Sequence, residues 1–251
     1  MKLNLPKLIG HRGMKSILPE NTIDSIYKAI EFNFKWIEVD VKISKDNIPF
    51  LLHDDSLFRT TGCNKSPTEL KYNFIQNLNA GRQFNKKLIN PYPPTLQEVL
   101  LICSKNNIGL NIELKPNKGY EIENVKAIIK VIKKFSFYEK YYFSSFDWIS
   151  IISLKKIMPN SNAGILIDNY STEKKLIEIL EKCKKYNLFS CGLNINIITS
   201  KILLLCKKYN LHISCYSSKN IPISSAKILW KKGVDTIFID NPRTYKKNLV
   251  I

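Results

Sequence analysis

Cysteine pairs spaced for a metal or redox centre are missing from this chain. Cys63, Cys103, Cys183, Cys191, Cys206 and Cys215 form no CxxC and follow no regular interval. They read as small apolar core residues in a reducing compartment, not as a disulfide framework or a zinc site. No run approaches the ~18 apolar residues of a membrane span, and Met1 to Gly10 holds too short an apolar stretch for a signal peptide. These absences predict a cytoplasmic protein without stable membrane insertion. Acidic residues are outnumbered, 21 against 39 Lys and Arg, which leaves a net charge of +18. Charge of that size suits a polyanionic partner, either nucleic acid or an anionic membrane surface. The lysines, however, recur in pairs at helical edges (Lys174-Lys175, Lys184-Lys185, Lys207-Lys208, Lys231-Lys232), without an Arg–aromatic cluster or a nucleic-acid motif. They read as solvated helix faces. No nucleic-acid partner is expected, and the positive field would draw in a small anionic substrate.

What is present is a chain with enough apolar residues to fold, 44% hydrophobic with 11% aromatic, in 251 residues. Histidine is scarce, and two of the 3 fall in one stretch, Leu8 to Asp54. That stretch carries Gly10-His11-Arg12-Gly13, then Glu38-Val39-Asp40, then His53-Asp54. Trp36 to Ile43 is a β-branched alternating run that predicts a strand. Alternation puts Glu38 and Asp40 on one face and Ile37, Val39 and Val41 on the other. Two carboxylates on one strand face repel each other unless a cation or a proton sits between them.

In chain order, Leu8-Ile9-Gly10 is a short strand, and glycines flanking His11-Arg12 permit a tight turn. Asn21 or Thr22 caps a helix whose apolar face is Ile23, Ile26, Tyr27, Ile30 and Phe34. Lys45-Asp46-Asn47 turns the chain, and Ile48 to Leu52 returns as a second strand that brings His53 to the level of Asp40. Residues 54–94, rich in Asn, Gly, Pro and Lys, read as an insertion with little regular structure. Strand-like runs follow near 109–114, 140–144, 163–167, 189–193, 211–215 and 235–239. Helical runs lie near 95–106, 121–134, 147–157, 173–186, 198–209 and 222–232, and the short tail after Asp240 predicts a truncated last helix. Barrel strands then number eight. Without a Gly-rich dinucleotide loop, the alternation predicts an α/β fold, a closed TIM-type (β/α)8 barrel with a small insertion after the second-strand hairpin. Barrels of about 250 residues form one domain, so residues 1–251 are expected to be one.

In such a barrel the catalytic groups stand at the carboxyl ends of the strands. His11, Arg12, Glu38, Asp40 and Glu113 lie there, with Lys115 two residues beyond Glu113 on the same face. Three converging carboxylates need a hard divalent ion, Mg2+ or Ca2+ over zinc, with Mn2+ also admissible. Arg12 and Lys115 would supply positive charge to a phosphate, and His11 and His53 an acid/base pair. Glu20-Asn21-Thr22 reads as capping and loop bracing, Asp54 as a group that orients His53 or a loop amide and not as a metal ligand, and Arg59 and Asp147 as mouth residues or surface ion pairs. His212 and the Tyr138–Tyr142 aromatics read as packing.

With these residues in place the chain resembles the glycerophosphodiester phosphodiesterase family. The matching pieces are His11-Arg12-Gly13, Pro19-Glu20-Asn21-Thr22, Glu38-Val39-Asp40-Val41, His53-Asp54 with Leu57 and Arg59-Thr60-Thr61, and Ile112-Glu113-Leu114-Lys115. Ser144-Ser145-Phe146-Asp147 and Val234-Asp235 through Asp240-Asn241-Pro242 fit as well. The resemblance implies a TIM-type barrel and metal-dependent hydrolysis of glycerophosphodiesters to glycerol 3-phosphate and an alcohol. It implies metal ligation by Glu38, Asp40 and Glu113 and acid/base roles for His11 and His53. The alternative with the same site is a lysophospholipase D-like enzyme acting on a lipid diester. Where family members often carry Trp-Thr-Val-Asn, this chain has Tyr216-Ser217-Ser218-Lys219. Tyr216 keeps an aromatic wall against the substrate but alters the pocket. Ile239-Asp240 replaces the family's Thr-Asp, a change expected to affect packing.

Overall fold

The computed structural model describes residues 3–84, 91–135 and 140–245. Its elements run β1 (Leu8–Gly10), α1 (Ile23–Glu31), β2 (Trp36–Ile43), β3 (Pro49–Leu51), α2 (Phe58–Thr61), α3 (Tyr72–Ile75), α4 (Leu96–Lys105) and β4 (Gly109–Leu114). Strands and helices then alternate: α5 (Glu121–Ile132), β5 (Tyr141–Ser145), α6 (Trp148–Ile157), β6 (Ala163–Ile167), α7 (Glu173–Lys185), β7 (Ser190–Asn194), α8 (Ser200–Lys208), β8 (His212–Tyr216), α9 (Ile223–Lys232) and β9 (Thr236–Ile239).

Eight of these strands pair in parallel, and the ring closes where β1 pairs with both β2 and β9. This is the closed barrel that the alternation predicted, with helices on its outer face. Only β3 stands outside it, antiparallel to β2 with Val41 opposite Leu51. Thr22, not Asn21, is the N-cap of α1. Its hydroxyl accepts from the Ser25 N–H, and the Ser25 side chain answers on the cap's own N–H.

The period of two in β2 sorts its residues as expected. Ile37, Val39 and Val41 are fully buried in the apolar shell between strands and helices. Burial of each such side chain contributes about 1.5–3 kcal/mol. The other face points into the barrel, whose floor is Ile9, Trp36, Tyr142 and Phe238. Gly109 is explained by that floor, because a Cβ there would lie 2.2 Å from Cε2 of Trp36.

Residues 54–94 hold more structure than the sequence suggests. Within the described part, Leu57 and Ile75 close over Phe50 and Leu52 as a small second apolar cluster, with α2 and α3 above it. Local periodicity is too short there to register, and the burial is visible only once β3 supplies the partner. Tyr138 and the tail after Tyr245 lie outside the described residues, as do residues 85–90. The lysine pairs on α7, α8 and α9 are all exposed. All six cysteines are free, five of them buried. Among the described residues no helix is long and apolar enough to cross a membrane.

Candidate functional site

Parallel pairing of β2 with β4 sets Asp40 beside Glu113 and Glu38 beside Asn111. All of these point into the barrel near its carboxyl end. The three carboxylates are buried, and one oxygen from each lies within 4.8 Å of the others. Such crowding has the electrostatic cost expected from the sequence. Burial, with Asp40 and Glu113 alongside, pushes the Glu38 carboxyl well above the usual carboxylate range, and burial raises Glu113 too. Burial also opposes ionisation of Asp40, but Lys115 and Arg12 outweigh it and hold that group well below its usual range.

The fixed cations stand inside the cluster. Lys115 Nζ is 3.2 Å from Asp40 Oδ1 and 3.0 Å from Glu113 Oε1. Arg12 has a left-handed backbone, φ 51°, an uncommon and strained conformation for a residue with a side chain. The turn aims its N–H at Glu38 Oε2, 3.0 Å away. Its guanidinium reaches Asp40 Oδ2 at 3.1 Å and Glu20 Oε1 at 2.9 Å. Gly13, at φ 74°, continues the turn, and a Cβ there would lie 2.4 Å from Ser25 Oγ. Arg12 is therefore committed to carboxylates, where the sequence suggested a phosphate ligand alone.

His11 and His53 are each tied at Nδ1 to an aspartate. His11 Nδ1 lies 2.7 Å from Asp240 Oδ1, and His53 Nδ1 lies 2.7 Å from Asp54 Oδ1. A carboxylate only accepts, so each Nδ1 donates and each Nε2 keeps its lone pair in the neutral ring. Burial drives His11 down to about 4 despite the Asp240 hydrogen bond, and burial lowers His53 as well. Burial thus favours the neutral form of both rings. His11 Nε2 is 3.8 Å from Glu38 Oε2.

His11, Arg12, Glu38, His53, Glu113 and Lys115 line one cavity of about 250 Å³, with Tyr216 on the opposite wall. Asp40 lies beneath, held by Arg12, Lys115 and Asn21. All eight residues singled out in the sequence thus gather at one mouth. Several neighbours were not foreseen. Asn21, left-handed at φ 56°, donates from Nδ2 to Asp40 Oδ2 and accepts the Asp40 N–H. Glu20 joins Arg12 to Arg59, and Arg59 reaches Asp54 through Nε at 2.6 Å. An unbroken chain of ion pairs therefore runs from Arg12 to Asp54, which in turn holds His53 by a hydrogen bond. Asp240 was placed among the family-like pieces without a role of its own, and it holds His11 and lies 3.4 Å from Lys15 Nζ. The available signal was its position one residue beyond the strand that closes onto β1. Asp147 caps α6, and His212 bonds Thr236 at 2.9 Å.

The donor set is all carboxylate, and Glu38 Oε1 is a buried oxygen with no hydrogen-bond partner among the described residues. With all three carboxylates ionised, the two fixed cations would leave the cluster short of one positive charge. These features fit a divalent cation site, with Glu38, Asp40 and Glu113 as its ligands.

Residues 11–244 match the Glycerophosphoryl diester phosphodiesterase family. A glycerophosphodiester phosphodiesterase of Caldanaerobacter subterraneus subsp. tengcongensis is 29% identical over 237 residues, spanning 94% of this chain and 95% of the relative. One from Bacillus altitudinis is 26% identical over 245 residues, 95% of this chain and 96% of the relative. A solved phosphodiesterase of Oleispira antarctica, in complex with the product sn-glycerol-3-phosphate, matches with a TM-score of 0.87 and 28% identity, covering 95% of this chain and 94% of that one.

Proposed function

This chain belongs to the glycerophosphoryl diester phosphodiesterase family, and we propose that it hydrolyses glycerophosphodiesters to glycerol 3-phosphate and an alcohol. The whole chain, residues 1–251, acts as one catalytic domain, and its six free thiols support a reducing, cytoplasmic setting. One observation carries the reading: two aspartate-held histidines open into the same cavity as the carboxylate cluster. Glu38, Asp40 and Glu113 would hold Mg2+ or Ca2+, both of which prefer oxygen ligands. Such an ion supplies Lewis-acid polarisation of the phosphate and offsets its charge.

The chain's own groups do the rest. Arg12 and Lys115 keep fixed positive charge beside the bound phosphate. His11, neutral and with Nε2 unprotonated, accepts the proton of the attacking hydroxyl. His53 is the more exposed ring, 30% against 14% for His11, and recharges more readily from water. It protonates the oxygen of the departing alcohol as the P–O bond breaks. The test is hydrolysis of glycerophosphocholine and glycerophosphoethanolamine with Mg2+, Ca2+ or EDTA, read as glycerol 3-phosphate. Release with a metal and none in EDTA supports the reading, and no release with either metal overturns it.

A further inference from the structure

The mouth of the barrel has two unlike halves. Strands β9, β1, β2 and β4 carry the imidazoles, the carboxylate cluster and its cations. Facing them, the ends of β5 to β8 contribute Phe146, Asp168, Asn194 and Tyr216 to the same cavity. Phe146 and Tyr216 meet edge to face, with ring centroids 5.6 Å apart at 88°. That arrangement forms a corner of two perpendicular aromatic walls. Phe146 is 43% exposed, so part of its ring is open to a ligand in the cavity. Its ring already lies near a cation, with Lys115 Nζ 5.7 Å from the centroid.

Asp168 completes the corner. Its Oδ1 accepts from Asn194 Nδ2 at 2.7 Å and from the Tyr216 hydroxyl at 3.3 Å. Oδ2 has no hydrogen bond, and Asp168 enters no ion pair among the described residues. Asp168 is thus an exposed carboxylate at the cavity wall without a counter-charge among the described residues, in a chain with 39 basic residues against 21 acidic. It lies apart from the cluster around Asp40, and two neighbours hold it in orientation.

We propose that Phe146, Tyr216 and Asp168 form a subsite for a cationic head group, so that the enzyme prefers diesters whose alcohol carries an ammonium or trimethylammonium group. The inference rests on the phosphodiesterase reading above and assigns its leaving-group side. Aromatic faces attract alkylammonium ions through the ring quadrupole, and the carboxylate adds a charge of the right sign. A neutral glycerol or inositol head would gain neither. The Tyr216–Asp168–Asn194 bonds keep the site in shape before the substrate arrives.

The test compares glycerophosphocholine with glycerophosphoglycerol, a neutral-headed diester, in the wild type, D168N and F146L. The ratio of the two kcat/KM values should fall about fivefold in D168N and about tenfold in F146L, with the change in KM. A ratio unchanged in both variants overturns the subsite. A second measurement does not need turnover: choline is titrated into the protein and followed through the ring resonances of Phe146 and Tyr216. Shifts with choline, absent with its uncharged carbon isostere, support the subsite even if no diester is cleaved. Equal shifts with both compounds, or none with choline, overturn it. Absence of hydrolysis for every diester overturns the phosphodiesterase reading instead.

Discussion

Asp240 Oδ1 and His11 Nδ1 are 2.7 Å apart in space and 229 positions apart in sequence. The bond fixes both the ring orientation and the tautomer of His11, leaving Nε2 to face Glu38. D240N would present an amide in place of an obligate acceptor and let the ring turn or change tautomer. We expect kcat/KM to fall on the order of 10²-fold with thermal stability little changed. Steady-state kinetics beside a melting curve check this, and full activity in D240N would remove the orienting role.

His11→Ala and His53→Ala should each lower turnover by about 10²–10⁴-fold with the fold intact. Circular dichroism and glycerol 3-phosphate release together test the pair. A variant with wild-type turnover at either position rules out the acid/base scheme.

Metal binding should be readable without activity. A cation at 100 times its dissociation constant stabilises the fold by about 2.7 kcal/mol, so Mg2+ or Ca2+ should raise Tm. E38Q removes one of three carboxylates crowded within 4.8 Å. In EDTA its Tm should equal or exceed that of the wild type, and added metal should no longer raise it. An undiminished metal response in E38Q would exclude Glu38 as a ligand.

Acid should weaken the Arg59 network. Burial opposes ionisation of Glu20 and Asp54, yet their bonds to Arg59 win and hold both at about 2, from ordinary values of 4.5 and 3.8. Depressed carboxylates stabilise the fold above their unfolded values, and that stability is lost as pH falls toward 2. R59Q should therefore lower Tm at neutral pH, with the difference from wild type shrinking between pH 4.5 and pH 2. A calorimetric Tm series over pH decides it. A difference that stays constant on the acid side would assign the loss to packing.

Gly109→Ala should destabilise the barrel floor by about 1–3 kcal/mol through overpacking against Trp36. Denaturant unfolding measures this, and a neutral result would mean that the indole can shift.

Period-two strands and the Glu38–Asp40 pair were legible because alternation is local. The return of His53 was legible because a tight hairpin fixes where its second strand ends. The His11–Asp240 bond was not, since it depends on ring closure across the whole chain. Asn21 illustrates a different obstacle. Its type suits a helix cap, and the cap position went to Thr22, which freed the Asn21 amide to hold Asp40. The route from Arg12 through Glu20 and Arg59 to Asp54 was hidden because long charged side chains can find many partners, and sequence spacing does not choose among them.

Closure of β1 against β9 also has a consequence for biosynthesis. In a chain made from its amino end, His11 precedes the group that orients it by 229 positions. Throughout translation, β1 waits with an open backbone edge, able to pair with β2 yet lacking Leu8↔Ile237 through Gly10↔Ile239. The oriented imidazole is thus completed only when β9 docks on β1 and carries Asp240 to His11.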